Sequence, residues 1–365
     1  MFDIVSFLVA WLTLFGIYAI LALCLNMEIG YAGMANFGLV VFWGIGAFIA
    51  GYVSLTLFMS YYGLNYPIYS LDAIIAMGEV SGSDPLLHIG TFLLSLIISF
   101  LVSGVVGYLV SYPTLRVGPA FLGITILSFG EMMRVFMRHF KPTGAAYGLL
   151  GVPNPFAWIP DPGLKAIMFL LLTLTILVGV FAYFRSSSNS PFGRVLRSIR
   201  DDEVASLCVG KPVPAIKAKL LFVASGISGV SGSLYAFYTG SVTPDMFVTA
   251  VTFEVWSMVI LGGRGNNMGA LLGALVLSLM NRASSVFNFV FPDFIVDPNY
   301  IRWMLVGAII FLVLMYKPKG LIAEKPVNTE AWDVFEGAKE RPRLLSRVVK
   351  KAREGVLWLA GREAK

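Results

Sequence analysis

The stretch SPFGRVLRSIRDDEVASLCVGKPVPAIK, Ser190 to Lys217, lies between two long apolar runs, about 165–184 and 218–239. It carries arginines, an Asp-Asp-Glu triplet and the prolines Pro191, Pro212 and Pro214. A helix that crosses a bilayer needs roughly 20 mostly apolar residues. The flanking runs meet that length, so the charged stretch reads as a connection between two spans.

Working outward, the same pattern recurs. About nine apolar runs are long enough to read as crossings, near 4–25, 38–60, 90–112, 119–137, 165–184, 218–239, 247–262, 268–290 and 301–316. The apolarity is continuous and does not alternate, which predicts helices and not a barrel. The run at 119–137 carries Glu131 and Arg134 and also reads as a half-helix, so the count spans about eight to ten. Composition agrees. The 365 residues are 57% hydrophobic and 13% charged, with a mean hydropathy of +0.79. Soluble domains carry about 25% charge, so the fold class is an all-α polytopic transmembrane bundle. Its transmembrane part covers 1–316, with a basic tail at 317–365.

Lysine and arginine set the orientation. Arg185, Arg194, Arg197, Arg200, Lys211, Lys217 and Lys219 crowd the opening stretch and its edges, and the tail is basic as well, whereas 61–89 has neither residue. The loop 185–217 and the C-terminus are therefore expected in the cytoplasm, with 61–89 and the N-terminus outside. No basic region precedes the first apolar run, so no cleaved signal peptide is expected. The net charge of +6 is explained by these membrane flanks and does not point to nucleic acid. Cys24 and Cys208, with His88 and His139, make neither a disulfide framework nor a metal-ligand spacing. No cofactor is expected.

Locally, Ser190-Pro191 reads as a helix cap followed by proline at the first helical position. A short basic helix then runs through Arg200. Asp201 is placed to cap a second helix, with Asp202 and Glu203 at the positive end of its dipole. Gly210 fits the position after that helix, and Pro212 stops it. The second helix is expected to be about eight residues, roughly 12 Å long. Val204, Leu207 and Cys208 share one face. So short a helix is marginal alone. Two readings stay open at this level: a loop folded back on the bundle or lipid surface, or a docking element for a cytoplasmic partner.

Here the sequence resembles a known family. GRVLRSIRDDEVASLCVG, Gly193–Gly210, is similar to the cytoplasmic loop of permease subunits of branched-chain amino acid ABC importers, the LivM type. Gly193, Arg194, Leu196, Ile199, Arg200, Glu203, Ala205 and Gly210 match its pattern, and Ser206 stands where that pattern has alanine. LNMEIGYAGMANFGLVVFWGIGAF, LGITILSFGEMMRV, PTGAAYGLLGVP and LGGRGNNMGALLGA, starting at Leu25, Leu122, Pro142 and Leu261, resemble further segments of the family in the same order. The departures are Asn36-Phe37 for Ser-Leu, Ala145 for glycine and Asn266 for serine.

The resemblance implies a multi-pass subunit of the cytoplasmic membrane that moves branched-chain or related amino acids. It also implies two separate ATPase subunits, a second homologous permease, an extracytoplasmic binding protein and contact with membrane lipid. Urea or short amides are the alternative substrates. Asp202, Glu203, Val204, Ala205, Leu207, Cys208 and Gly210 would form the helix that docks on an ATPase. No G-x-x-x-x-G-K-[ST] loop occurs in the chain, so ATP hydrolysis is expected on other subunits.

Gly30, Asn36, Gly38 and Glu254 are candidates for the translocation path. Helix packing is the competing reading for Gly30 and Gly38 and for Gly44, Gly46, Gly226, Gly229 and Gly232. Glu131 is expected to pair with Arg134 one turn on. Glu254 has no evident local partner. These two carboxylates also support a rival reading, an ion-driven transporter. An intramembrane enzyme is a weaker rival, because no catalytic grouping accompanies the histidines. A basic amphipathic helix is expected at 338–360.

Overall fold

The computed structural model describes residues 4–64, 66–80, 84–114, 119–290 and 298–324. The chain divides into two compact units, Met1–Glu324 and Lys325–Lys365, and every described residue lies in the first. The expected amphipathic helix at 338–360 falls outside the described residues.

The chain is helical. Twelve helices follow in order among the described residues: α1 Ile4–Leu25, α2 Leu39–Tyr62, α3 Leu71–Val80, α4 Pro85–Thr114, α5 Pro119–His139 and α6 Pro162–Asn189; then α7 Pro191–Asp201, α8 Glu203–Cys208, α9 Val213–Thr239, α10 Thr249–Gly262, α11 Asn267–Val290 and α12 Pro298–Tyr316. Six stretches of these are long and apolar enough to cross a membrane: Ile4–Tyr31, Leu39–Tyr62, Pro85–Pro113, Pro162–Asn189, Val213–Thr239 and Pro244–Gly262. A shorter apolar helix covers Trp303–Tyr316. The expected run at 119–137 is one unbroken helix, α5, with Glu131, Arg134 and Arg138 on it.

The first run does not stop at residue 25. After Leu25 the backbone continues as a π-helix over Asn26–Tyr31. Asn26 and Glu28 look from the sequence like the end of the span. Both are fully buried instead, with polar partners inside the protein, so their polarity does not end the helix. Helix α3, in the segment read as a plain connection, was not expected.

The centre of the bundle is α2, packed on α4 and α9, with α1 against α6, α9 and α11. Glycine lets these backbones meet. A Cβ on Gly46 would strike the backbone of Gly229, and one on Gly232 would strike the Trp43 carbonyl. Serine hydroxyls then bond across the joints. Ser99 and Ser233 both donate to the Gly46 carbonyl, at 3.0 and 3.2 Å. Ser103 donates to Phe42 and Ser231 to Ile17. Small residues at the contact and hydroxyls as cross-links are how helices associate where the surroundings are as apolar as the side chains. The packing reading of Gly46, Gly226, Gly229 and Gly232 therefore holds.

Just past the end of α9, β2 (Ser241–Val242) pairs antiparallel with β1 (Leu149–Leu150). Val152 N–H also donates to the Gly240 carbonyl at 2.9 Å. This ties loop 140–160 to the end of α9. Ala145 in that loop takes φ +50°, the left-handed conformation that glycine tolerates best.

Two stability outcomes follow. Gly46→Leu should lower the thermal midpoint of the purified protein in detergent, since overpacking costs about 1–3 kcal/mol. Gly179→Ala, where a Cβ meets nothing within 4 Å, should not lower it. Equal midpoints for Gly46→Leu and the parent would contradict the close-packed joint. Ala145→Gly should raise the midpoint modestly by relieving about 1 kcal/mol of backbone strain; a clear drop would contradict this.

Candidate functional site

The charged stretch folds into two helices joined by a sharp break. Ser190 has an extended backbone and Pro191 opens α7, as the sequence predicts. The Ser190 hydroxyl donates back to Ser187 and does not cap forward. The second cap differs from the expectation. Asp201 is the last helical residue of α7, and Asp202 caps α8, its Oδ1 accepting from the Ala205 N–H at 2.9 Å. The reason is backbone geometry: Asp202 is extended, at φ −155° and ψ 109°, while Asp201 is held in the helix before it. Helix α8 is accordingly six residues long, shorter than expected. Gly210 follows at φ +78°, and nothing lies within 4 Å of its would-be Cβ, so conformation alone calls for glycine there.

The two sides of α8 differ. Ser206 is buried and shares a 3.1 Å hydrogen bond with Ser198. Glu203 accepts from Lys217 Nζ at 2.7 Å, and the Lys217 side chain is only 7% exposed. These contacts hold α8 to α7 and α9. On the other side Val204 is 68%, Leu207 47% and Val209 77% exposed, and Ala205 and Cys208 are exposed too. A six-residue helix thus spends its polar groups on attachment and turns its apolar side chains away from the chain.

Helix α7 reaches further. Arg200 Nη1 donates to the Gly30 carbonyl in the π-helix at 2.5 Å and to Glu324 Oε2 at 2.8 Å. Arg197 pairs with the other oxygen of Glu324 at 3.3 Å, and its guanidinium lies 5.1 Å from the Tyr31 ring centre. Asn26 adds a third segment. Its Oδ1 accepts from the Gly265 N–H at 2.9 Å, and its Nδ2 donates to Asn267. The segment before Glu324 is tied in turn to α10, with the Leu321 and Ile322 N–H groups donating to Leu261 and Gly262 at 3.0 Å. The charged stretch, the π-helix, the 263–267 turn and the end of the unit therefore form one hydrogen-bonded junction. Gly30 belongs to it: a Cβ there would collide with the Gly265 backbone, so glycine is what lets the two segments meet.

The π-helix leads into the bundle. Glu28 Oε2 accepts from Asn36 Nδ2 at 3.0 Å. Asn36 Oδ1 accepts from the Gly38 N–H, and its carbonyl accepts from the Trp256 indole at 2.9 Å. Phe37 stacks on Trp256, 4.7 Å between ring centres. Asn36 thus fixes the turn between α1 and α2, while Gly38 admits the backbone of Ile126 in α5. Single π turns inside helices are often found at functional sites. Glu254 is buried and bonds across to Asn281 on α11, which supplies the partner that the local sequence lacks. Glu131 holds Arg134 at 2.8 Å as expected, and Thr249 donates to its other oxygen.

Sequence reading missed Asn26, Glu28 and Glu324. Glu28 carried a usable signal, since a carboxylate three residues after an apolar run is costly unless it has a partner. Glu324 carried none, because it lies beyond the last apolar run.

The chain matches the family model described as "Branched-chain amino acid transport system / permease component" over residues 7–314. A probable branched-chain amino acid transport permease protein LivM of Methanocaldococcus jannaschii is 31% identical over 90% of this chain and 95% of its own length. The high-affinity branched-chain amino acid transport system permease protein LivM of Salmonella typhimurium is 26% identical over 84% of this chain and 68% of its own. A ribose import permease protein RbsC of Haemophilus influenzae is 25% identical over 41% of the chain. No solved structure matches. With the family model covering most of the chain and a relative above 30% identity along nearly all of it, the protein belongs to the permease components of branched-chain amino acid transport systems.

Proposed function

We propose that the chain is one permease half of an ATP-driven importer. It would move branched-chain or related amino acids across the cytoplasmic membrane by alternating access. The observation that carries this reading is the outward apolar face of α8, built on the inward Glu203–Lys217 pair. A short helix of this kind, presented by a charged loop, suits a groove on a cytoplasmic partner. Two ATPase subunits would close on ATP and carry α8 with them. The junction at Arg200 and Glu324 would pass that displacement to the π-helix and so to the turn at Asn36. A second homologous permease would complete the pathway, and an extracytoplasmic binding protein would deliver substrate at loop 142–153. Nine crossings, with α5, α11 and α12 added to the six long apolar stretches, put the N-terminus outside and the C-terminus inside.

The ion-driven rival drew on Glu131 and Glu254. Glu131 is held by Arg134 and Thr249, and Glu254 by Asn281, so both have structural work. Neither favours that rival.

Docking and transmission separate experimentally. Val204→Asp combined with Leu207→Asp should reduce ATPase stimulation by loaded binding protein about tenfold or more, the cost of roughly 1.4 kcal/mol at the contact. The thermal midpoint of the isolated permease should not move, because both side chains face outward. Full stimulated activity in the assembled complex would remove α8 as the docking element. Arg200→Gln and Glu324→Gln should each uncouple hydrolysis from uptake, with the double variant losing less than the two single losses combined. Losses that simply add in the double variant would count against the Arg200–Glu324 link.

A further inference from the structure

The turn between α9 and α10 carries an aromatic plug. Phe247 follows the short turn Pro244–Met246 and is buried. Its ring lies on Gly44 of α2, where a Cβ would meet it. Trp43 and Phe48 flank that seat, with ring centres 5.1 and 5.7 Å from Phe247. Behind Phe247, Trp43 packs on Tyr18 of α1 and Tyr235 of α9, at 6.2 and 4.7 Å. Phe247 therefore closes over rings drawn from three helices. Trp43 is 1% exposed, and its indole N–H has no hydrogen-bond partner among the described residues. A buried donor left unpaired is costly, so this closed packing is not free of strain. The shallow indentation between α2, α5 and the turn, beside Met133 and Met137, is too small for an amino acid.

A charged catch holds the turn to α5. Asp245 Oδ1 lies 3.4 Å from Arg134 Nη1, and Asp245 Oδ2 lies 3.2 Å from Arg138 Nη2. Two residues beyond Phe247, Thr249 donates to Glu131, which holds Arg134 at 2.8 Å. Helix α5 is the fixed side, because Gly38 admits Ile126 and Gly130 admits Val41. The Asp245 side chain is 54% exposed. Ion pairs as open as this hold weakly and are screened by salt, which suits a catch that has to release. The other end of the turn is tied to loop 142–153. Ser241 and Val242 pair with Leu150 and Leu149 of that loop, and Asp245 follows three residues after Val242.

Building on the importer reading, in which substrate arrives at loop 142–153, we propose that Phe247 is an outer gate and Asp245 its catch. Docking on the loop pulls on β1 and β2. Asp245 then leaves Arg134 and Arg138, Phe247 lifts off Gly44, and Trp43 and Tyr235 are uncovered. The gate does not select the substrate. It decides when the outer face opens, and the β1–β2 pairing makes that depend on what touches the loop.

The test is the labelling rate of Trp43→Cys by a membrane-impermeant maleimide, added outside proteoliposomes that hold the assembled importer. Cys208→Ser removes the exposed native thiol, and Cys24 is buried. Tyr235→Cys takes the place of Trp43→Cys if that variant does not assemble. Labelling should be slow with the catch intact. Asp245→Asn should speed it about two- to fivefold, the range expected of an exposed ion pair, and Phe247→Ala should speed it more. Added salt should speed labelling when Asp245 is present and leave Asp245→Asn unchanged. A residue that only braces the fold would not give that difference. Asp245 lies at the surface, so its variant carries the test even where Phe247→Ala fails to assemble. Labelling of Asp245→Asn at the unaltered rate, in an importer whose parent takes up leucine on ATP, overturns the gate and leaves the importer reading standing. A parent with no ATP-driven uptake overturns the importer reading and the gate with it.

Discussion

Arg200 joins parts of the chain that lie far apart in sequence. Its guanidinium reaches the Gly30 carbonyl in the π-helix and the Glu324 carboxylate at the end of the compact unit. A carbonyl in a π-helix is a natural target, because the wider turn disturbs the regular ladder and leaves acceptors to be satisfied from outside. The guanidinium is planar and always charged, with several donors in fixed directions, so it can serve carbonyl and carboxylate at once. Arg197, on the same face of α7 three residues earlier, doubles the hold on Glu324. Buried Leu196 and Ile199 and the Glu203–Lys217 pair seat α7 and α8 on the bundle, and this junction ties them to the π-helix.

The junction matters because the bundle beyond it is stiff. Gly46 against Gly229 and Gly232 against Trp43 bring α2 and α9 into backbone contact, and serine hydroxyls lock the same joints. Close-packed elements move as bodies and do not deform smoothly. On the proposed mechanism, a displacement applied at α7 would be delivered to the π-helix and the Asn36 turn. Asn36 is well placed to receive it, since its side chain bonds Glu28 behind it and Gly38 ahead of it, and its carbonyl takes Trp256 from α10.

Much of this was legible in the sequence. Continuous apolar runs gave the helices, since each must satisfy its own backbone inside lipid. Ser190-Pro191 and Gly210 marked the edges of the charged segment because their backbone conformations are local properties. The spacing of Val204, Leu207 and Cys208 gave the outward face of α8. What was not legible depends on contacts made at long range. Asp201 and Asp202 are equivalent by composition, and only the length of α7 decides which one caps. Asn26 and Glu28 look like a helix end until their partners at Asn267 and Asn36 are in view. Gly30 and Gly38 each sit against backbone from a distant segment, Gly265 and Ile126, which the sequence does not bring near them. Glu254 looked unpartnered because Asn281 arrives from another helix.

The central claim is that α7, α8, the π-helix and the 263–267 turn move as one piece. It can be tested with two spin labels in lipid nanodiscs, on Val209→Cys beside α8 and Arg264→Cys in the turn, with Cys208→Ser removing the exposed native thiol. Both positions are exposed, and neither contributes to the junction through its side chain. In the complete importer the distance distribution between them should be the same without nucleotide and with ATP trapped. A distribution that shifts between those states, in a complex that still couples hydrolysis to uptake, would contradict the account.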